Sequence, residues 1–291
     1  MKYAAITSMR SVYPLKLCCR LLGVSVGGYY KWRIQKPRKT THERDKLIVL
    51  AAHQKTRGCY GAVRLHKALQ IEGFTLSLWR VKKIRHELGL VARTPHRRIR
   101  TTDSRHTLPV AANILQRHFS SSVPDRTWVS DITSIPTAEG WLYLAGIKDC
   151  CSREIVGFHL SSHMDTTLVL KALKKAYEAR RPPHGLLLHS DRGSQYCSKA
   201  YQQQLAAYRM QCSMSRKGNC RDNAPMESFW GLLKNELVYR TRFRSRRQAK
   251  AAITEYIEIF YNRQRIQAGL GYQSPAAFAK NLRRGKTALA A

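Results

Sequence analysis

Apolar positions recur at helical spacing through roughly the first ninety residues and at strand spacing after about residue 125, so the chain divides into a helical part and an α/β part. In the helical part, PLKLCCRLLGVSVGGYYKWR (residues 14–33) reads as a helix, a turn at Gly23 and a second short helix opened by Ser25. The run KPRKTTHERDK reads as a solvated linker, with Thr41 capping a helix over residues 42–55. GCYGAVRLHKALQIEG then places Val63, Leu65 and Leu69 on a helix ended by Gly73. FTLSLWRVKKIRHELGL follows, with Ser77 as cap, Leu78, Val81, Ile84 and Leu88 at helical spacing, and Gly89 as the stop.

The α/β part opens with three strand patterns, RTWVSDITSI, WLYLAGIKDC and EIVGFHL, joined by the short turns TAEG and CSR as an antiparallel meander. A helix is expected over residues 166–180, stopped by Pro182 and Pro183, and then a fourth strand, GLLLHSD. SKAYQQQLAAY reads as helix and MQCSMS as a short strand. A last helix opens near Asn223, a plausible N-cap, with Pro225 in the first turn and Phe229, Leu232, Leu233 and Leu237 as its apolar stripe. Three antiparallel strands, helix, strand, helix, strand, helix is the order of a ribonuclease-H-like fold, a mixed five-stranded sheet with flanking helices, although periodicity alone allows other α/β arrangements. The resulting divisions are residues 1–40 and 41–93 as helix-turn-helix segments, 94–124 as a basic linker, 125–240 as the α/β core and 241–291 as a basic helical extension. In that extension Ile253, Tyr256, Ile257 and Phe260 form a stripe for packing onto the core, or onto a second copy.

Charge narrows the partner. Lys and Arg total 52 against 18 Asp and Glu, a net charge of +34, and the first 110 residues alone carry 24 bases and 5 acids. Such an excess repels itself unless a polyanion is bound, and nucleic acid is the default polyanion. The basic residues Arg80, Lys82, Lys83 and Arg85 ride on the helix after Ser77, an arrangement suited to a DNA major groove. The competing reading is an amphipathic helix pair kept soluble by its lysines. No run of eighteen apolar residues occurs, so no membrane span is expected, and no secretory signal is read at the N-terminus. The eight cysteines contain no CxxC pair, which gives no zinc or disulfide framework and fits reduced thiols in the cytoplasm.

Three acids stand out by position: Asp131 within the first strand, Asp191 at the carboxyl end of the fourth, and Glu227 in the first turn of the late helix. Strand ends and helix starts of an α/β sheet gather at one edge, where sites are usually built. Three carboxylates meeting there repel one another and call for cations, most simply a pair of Mg²⁺ ions about 4 Å apart that clamp the two oxygens of a phosphoryl transfer. Asp149 and Asp222 compete as nearby acids, each with a structural role open to it, and Glu227 alone reads equally as a complement to the helix dipole.

The phrases WVSDIT, LLLHSDRGSQY, SMSRKGNCRDNAPMESFWGLLKNEL and YNRQRIQAGLGYQSPAAF resemble the integrase-type transposases of bacterial insertion sequences, more narrowly their second-reading-frame (OrfB) proteins. The resemblance spans residues 45–280 and implies a retroviral-integrase-like core with an Asp–Asp–Glu triad, falling on Asp131, Asp191 and Glu227 as catalytic and metal-holding residues. It implies Mg²⁺, with Mn²⁺ as a substitute, water-driven nicking of element ends, and strand transfer by the freed 3′-OH. Lys234 matches a basic residue that holds DNA near the scissile phosphate; Arg192 departs from the more usual glutamine. Arg216, Lys217 and Arg221, in the loop before the late helix, join the expected DNA contacts. The partners implied are duplex DNA at element ends and target, further copies of the chain on that DNA, and an upstream-frame DNA-binding protein, fused or separate. The expected setting is the bacterial cytoplasm, at the nucleoid. A DNA-binding regulator with a dead core and a plain ribonuclease-H-type nuclease are the rival functions.

Overall fold

The computed structural model describes residues 2–35, 38–92, 109–216 and 219–289, in two compact units that divide after Val91. In the first unit, α1 (Lys2–Met9), α2 (Leu15–Leu21) and α3 (Val26–Gln35) close over Ile6, Cys18, Cys19 and Tyr29. Helix α1 carries no amphipathic stripe, since Ile6 is its one buried side chain, so periodicity gave no sign of it. Helix α4 (Arg38–Lys55) starts before Thr41, which is therefore inside the helix rather than its cap. Helices α5 (Ala62–Ile71) and α6 (Leu78–Glu87) pack on α4 and on each other. The turn between them runs as expected: Gly73 and Gly89 take positive φ at the two helix ends, and Ser77 Oγ accepts from Arg80 N at 3.2 Å.

The second unit is built on a five-stranded sheet in the order β3-β2-β1-β4-β5. Strands β1 (Thr127–Thr137), β2 (Gly140–Asp149) and β3 (Ile155–Ser161) form the antiparallel meander. Strands β4 (Leu187–Ser190) and β5 (Gln211–Met214) add parallel to β1, which requires crossovers, supplied by α7 (Thr166–Arg180) before β4 and by α8 (Ser194–Cys197) and α9 (Lys199–Ala207) before β5. Helix α7 and the aromatic residues of α8 and α9 cover a core that includes Trp128, Ile147, Leu173, Tyr196 and Tyr201. The expected fold class therefore holds. No helix of the described residues is long and apolar enough to cross a membrane.

Two features place helix α10 (Ala224–Glu236) against the meander. Its buried face is Met226, Phe229, Trp230, Leu233 and Glu236, one step around from the stripe expected from leucines alone; Leu232 and Leu237 are only half-buried. Opposite it, Gly146 on β2 leaves room for contact: a Cβ there would lie 2.8 Å from the Trp230 ring and 3.2 Å from Met226 Cε.

At the far end of α10, buried Glu236 is held by Arg265, whose Nε and terminal nitrogen donate to both carboxylate oxygens at 2.7–3.1 Å, and by Tyr256 Oη at 2.7 Å. Both of those partners belong to the C-terminal segment, where α11 (Arg246–Glu255) widens into π-helical turns over Tyr256–Gln264, followed by α12 (Pro275–Leu289). Asn262 on the π-helical turns completes the attachment: its side-chain amide accepts from Ile155 N and donates to Ile155 O, each at 3.0 Å, as a neighbouring strand would. The extension thus packs on the core, with Ile253, Tyr256, Ile257 and Phe260 all buried.

Gly146→Ala is expected to destabilise the fold by about 1–3 kcal/mol, the usual cost of overpacking, read from denaturant unfolding. Arg265→Met removes the cation paired with the buried Glu236 carboxylate, and a loss of about 3–5 kcal/mol is expected in the same measurement.

Candidate active site

The register of the sheet brings two of the three acids together. Val129 of β1 pairs with His189 of β4 in parallel register, so two residues further on Asp131 stands level with Asp191, just past the end of β4. Asp131 also pairs across β1–β2 with Gly146, the position over which α10 packs. Glu227 follows Met226 on that helix and is half-buried, as are Asp131 and Asp191. Trp230 Nε1 donates to Asp131 Oδ2 at 2.9 Å, and Gly193 N donates to Asp191 Oδ1 at 2.9 Å, which fixes the loop after β4.

Asp191 and Glu227 both act on the Asp131 carboxyl. Burial, then Asp191, and more weakly Glu227, push the Asp131 carboxyl up to about 8, against the hydrogen bond from Trp230. Lys234, two helical turns beyond Glu227, feels the Asp131 charge, while burial lowers its own pKa. Among the described residues no three His, Cys, Asp or Glu side chains form a group that could hold a metal ion as they stand.

The competing acids have other partners. Asp149 accepts from Ser152 N and Oγ at 2.7 Å each and from Asp125 N at 2.9 Å, which closes the β2–β3 turn. Asp222 is fully buried and does not cap α10. It accepts Arg216 N and Nε at 3.0 Å, a terminal nitrogen of Arg216 at 2.9 Å, Arg117 Nε at 2.8 Å and Asn113 Nδ2 at 3.0 Å. These donors, the Arg216 guanidinium first, hold its carboxyl far below the ordinary carboxylate value. Asn223 stands at the N-cap position without a capping hydrogen bond; its Nδ2 donates instead to Ser130 O, next to Asp131, at 2.9 Å.

His189 binds the strand end to the segment before β1. Ser213 Oγ accepts from Ile114 N at 3.0 Å and Leu115 N at 3.1 Å, so its own hydrogen goes to His189 Nδ1 at 2.9 Å. The imidazole is therefore the Nε2–H tautomer and donates to Ser215 Oγ at 3.1 Å. Burial keeps it neutral, with its pKa lowered to about 4. Residues 109–124, the described part of the expected linker, are thus bonded to the core through Asn113, Ile114, Leu115 and Arg117.

The expected DNA contacts divide. Lys82 and Lys83 are exposed on α6, with Lys83 over the ring of exposed Trp79 at 5.3 Å. Arg80 instead donates through Nε and a terminal nitrogen to Asp45 on α4 at 3.1 and 2.9 Å, and Arg85 is half-buried with Nε unpartnered. Arg216 closes its own loop on Asp222, Arg192 Nε donates to Ser215 O at 2.6 Å, and Arg221 is exposed. Lys217 lies outside the described residues. In the sequence Trp230 had no role, Asn223 read as the N-cap and Asp222 as a competing acid, because the contacts of each cross ninety residues or more; only the spacing of Trp230, three residues past Glu227, hinted at a shared helix face.

Known proteins match along the whole chain. Family models described as "Integrase core domain" match residues 121–220 and 227–282, and one described as "HTH-like domain" matches residues 41–98. An uncharacterized 31 kDa protein of insertion element IS600 from Shigella sonnei is 48% identical over 262 residues, covering 89% of this chain and 96% of that protein. Transposase InsF of insertion sequence IS3A from Escherichia coli K12 is 37% identical over 287 residues, covering 97% of this chain and 100% of that one. Among solved structures, the HTLV-2 integrase catalytic core domain in complex with magnesium aligns with 54% of this chain and 97% of its own at 14% identity and a TM-score of 0.43. From residue 41 to residue 282 the sequence is matched in two parts, a helical one and an integrase core, and the chain belongs to the integrase-core transposases of bacterial insertion sequences, the family of InsF.

Proposed function

We propose that this transposase cuts the ends of its element and joins them to target DNA at the site formed by Asp131, Asp191 and Glu227. The observation that supports the reading is the register that sets Asp131 level with Asp191, with the helix of Glu227 packed over Gly146, the partner of Asp131. The donor set is all carboxylate oxygen, which fits hard divalent cations such as Mg²⁺ or Mn²⁺, and the three acids are the residues to hold them. When bound, such cations supply positive charge to the attacking and leaving oxygens of phosphoryl transfer.

The chain's own groups do the rest. Trp230 Nε1 orients the Asp131 carboxylate through Oδ2. The Gly193 hydrogen bond holds Asp191 at the end of β4, and Asn223 ties the start of α10 to the backbone beside Asp131. Lys234 is placed to grip a phosphate next to the acids. Neither Ser190 nor His189 serves as nucleophile or base: Ser190 Oγ donates to Asp191 O at 3.0 Å, and both His189 nitrogens bond serines. The attacking group is therefore water in the first step and a DNA 3′-OH in the second. Lys82, Lys83 and Trp79 on α6 present the surface that reads the element ends, in the manner of a helix entering the major groove. Acting on two ends and a target, the chain assembles as several copies on DNA, at the bacterial nucleoid, alone or with an upstream-frame DNA-binding protein.

Glu227→Gln is expected to abolish joining of labelled element ends to a plasmid in Mg²⁺ or Mn²⁺ while leaving end binding intact; joining at the wild-type rate refutes the assignment. Lys82→Ala with Lys83→Ala lowers affinity for element ends at fixed salt, and the slope of log affinity against log salt falls by up to about 2.

The metal-free protein gives a third test. A carboxyl with a raised folded pKa binds protons better folded than unfolded, so its contribution to stability is present below the ordinary carboxylate value and is lost as pH rises through about 8. Asp131→Asn removes that loss: the melting temperature of the metal-free variant exceeds that of the parent above that pH, and added Mg²⁺ no longer raises it. A parent-like melting curve in both conditions contradicts the shared site.

A further inference from the structure

The edge of the sheet opposite the triad carries a second concentration of positive charge. Strands β1, β4 and β5 run parallel, so Arg126 before β1, the Arg181–Gly185 turn before β4 and Arg209 before β5 lie together at their amino ends. Asp131 lies four residues along β1 from Thr127, a rise of about 13 Å, and Asp191 follows the carboxyl end of β4.

Helix α12 crosses near this amino edge and forms two clefts that share Arg180 and Arg283, with volumes of about 460 and 330 Å³. Arg126, Arg181, Arg263, Lys280 and Arg284 line them and are exposed. The two acids in the lining, Glu154 and Asp125, are already matched by Arg180 and Arg283. The remaining bases have no acid opposite them in the clefts.

Arg181 adds an independent sign. It ends α7 at φ +43°, the left-handed conformation that glycine adopts without strain, and the two prolines that follow hold the turn in place. An arginine there carries strain of order 1 kcal/mol or more, and its side chain is exposed. The charge is what glycine would lack.

We propose that this amino-edge cleft binds the phosphodiester backbone of a second segment of duplex DNA, apart from the segment held at the acids. The inference rests on the transposase reading only in taking DNA as the polyanion. Two sites on opposite edges let one copy bridge two duplex segments. Recognition is by phosphate charge, so the cleft accepts duplex of any sequence.

The test uses the full-length chain with Arg181→Gly, Lys280→Ala and Arg284→Ala combined. None of the three lies in the acid site, and the first change relieves backbone strain, so the fold is retained. An immobilised element-end duplex, the protein and a fluorescent duplex of arbitrary sequence report bridging. Capture of the second duplex is expected to be lost, and the salt slope of its binding to fall by about 3, one unit per phosphate contact. Nicking of a preloaded element end, followed in a single turnover, stays at the parent rate.

Glu227→Gln separates the two readings: it stops nicking and leaves bridging unchanged. Parent-like capture and salt slope in the triple variant overturn the proposal. So does a change in the oligomeric state of the DNA-free protein with bridging intact, which assigns the cleft to contact between copies.

Discussion

Helix α10 reaches the meander only because Gly146 has no side chain. The Trp230 ring and Met226 fill the space where a Cβ would stand, and the same approach lets Trp230 Nε1 bond Asp131, the residue paired with Gly146. Glu227 sits between those two packing residues, so the packing contact sets where it stands relative to Asp131. The other end of the helix is fixed separately. Glu236 lies nine residues on, and its buried pair with Arg265 ties α10 to a segment that the chain adds after the sheet is complete. A buried ion pair of this kind contributes little net stability compared with apolar packing, but breaking it leaves a bare charge, so it holds one arrangement of the helix against others.

The buried acids of the core differ in their partners. Asp222 has five hydrogen bonds from three residues, which hold its carboxyl far below the ordinary value. Glu236 is held by Arg265 and Tyr256. Burial pushes the Asp149 carboxyl up, against the hydrogen bonds from Ser152 and Asp125. Asp131 differs in its neighbours: the Ile132 and Trp230 N–H groups oppose burial and two other carboxylates, and the balance runs against ionisation. A carboxyl raised by burial and by other acids at the end of a sheet has the features of a functional group rather than of a structural one.

That distinction also separates what could be read from the sequence from what could not. The meander, α7, β4 and the Ser77 cap followed from periodicity and turn residues, because those signals are local. The positions of Asp131 and Asp191 were legible for the same reason, each being a polar residue at a fixed place on an apolar strand. Helix α1 has no apolar stripe to detect, and the start of α4 lies among charged residues with no strong stop signal. The role of Asp222 was hidden because its partners Asn113 and Arg117 lie more than a hundred residues earlier in the chain. Arg80 and Arg216 looked like DNA contacts until their carboxylate partners were located. In so basic a chain, composition cannot tell an arginine that closes a loop from one that faces solvent.

The segment before β1 shows how such closure serves the site. Two backbone N–H groups of Ile114 and Leu115 use up the lone pairs of Ser213 Oγ, which turns its hydrogen toward His189 and sets the tautomer. The imidazole then passes the direction on to Ser215, whose carbonyl accepts Arg192. Every donor in the chain has one acceptor, so the loop after β4 is held by a directed path that begins outside the sheet. Alternatives to it would strand a buried hydroxyl or ring nitrogen, at a cost of about 1–3 kcal/mol each. The strand end that carries Asp191 is consequently held by hydrogen bonds within the fold itself.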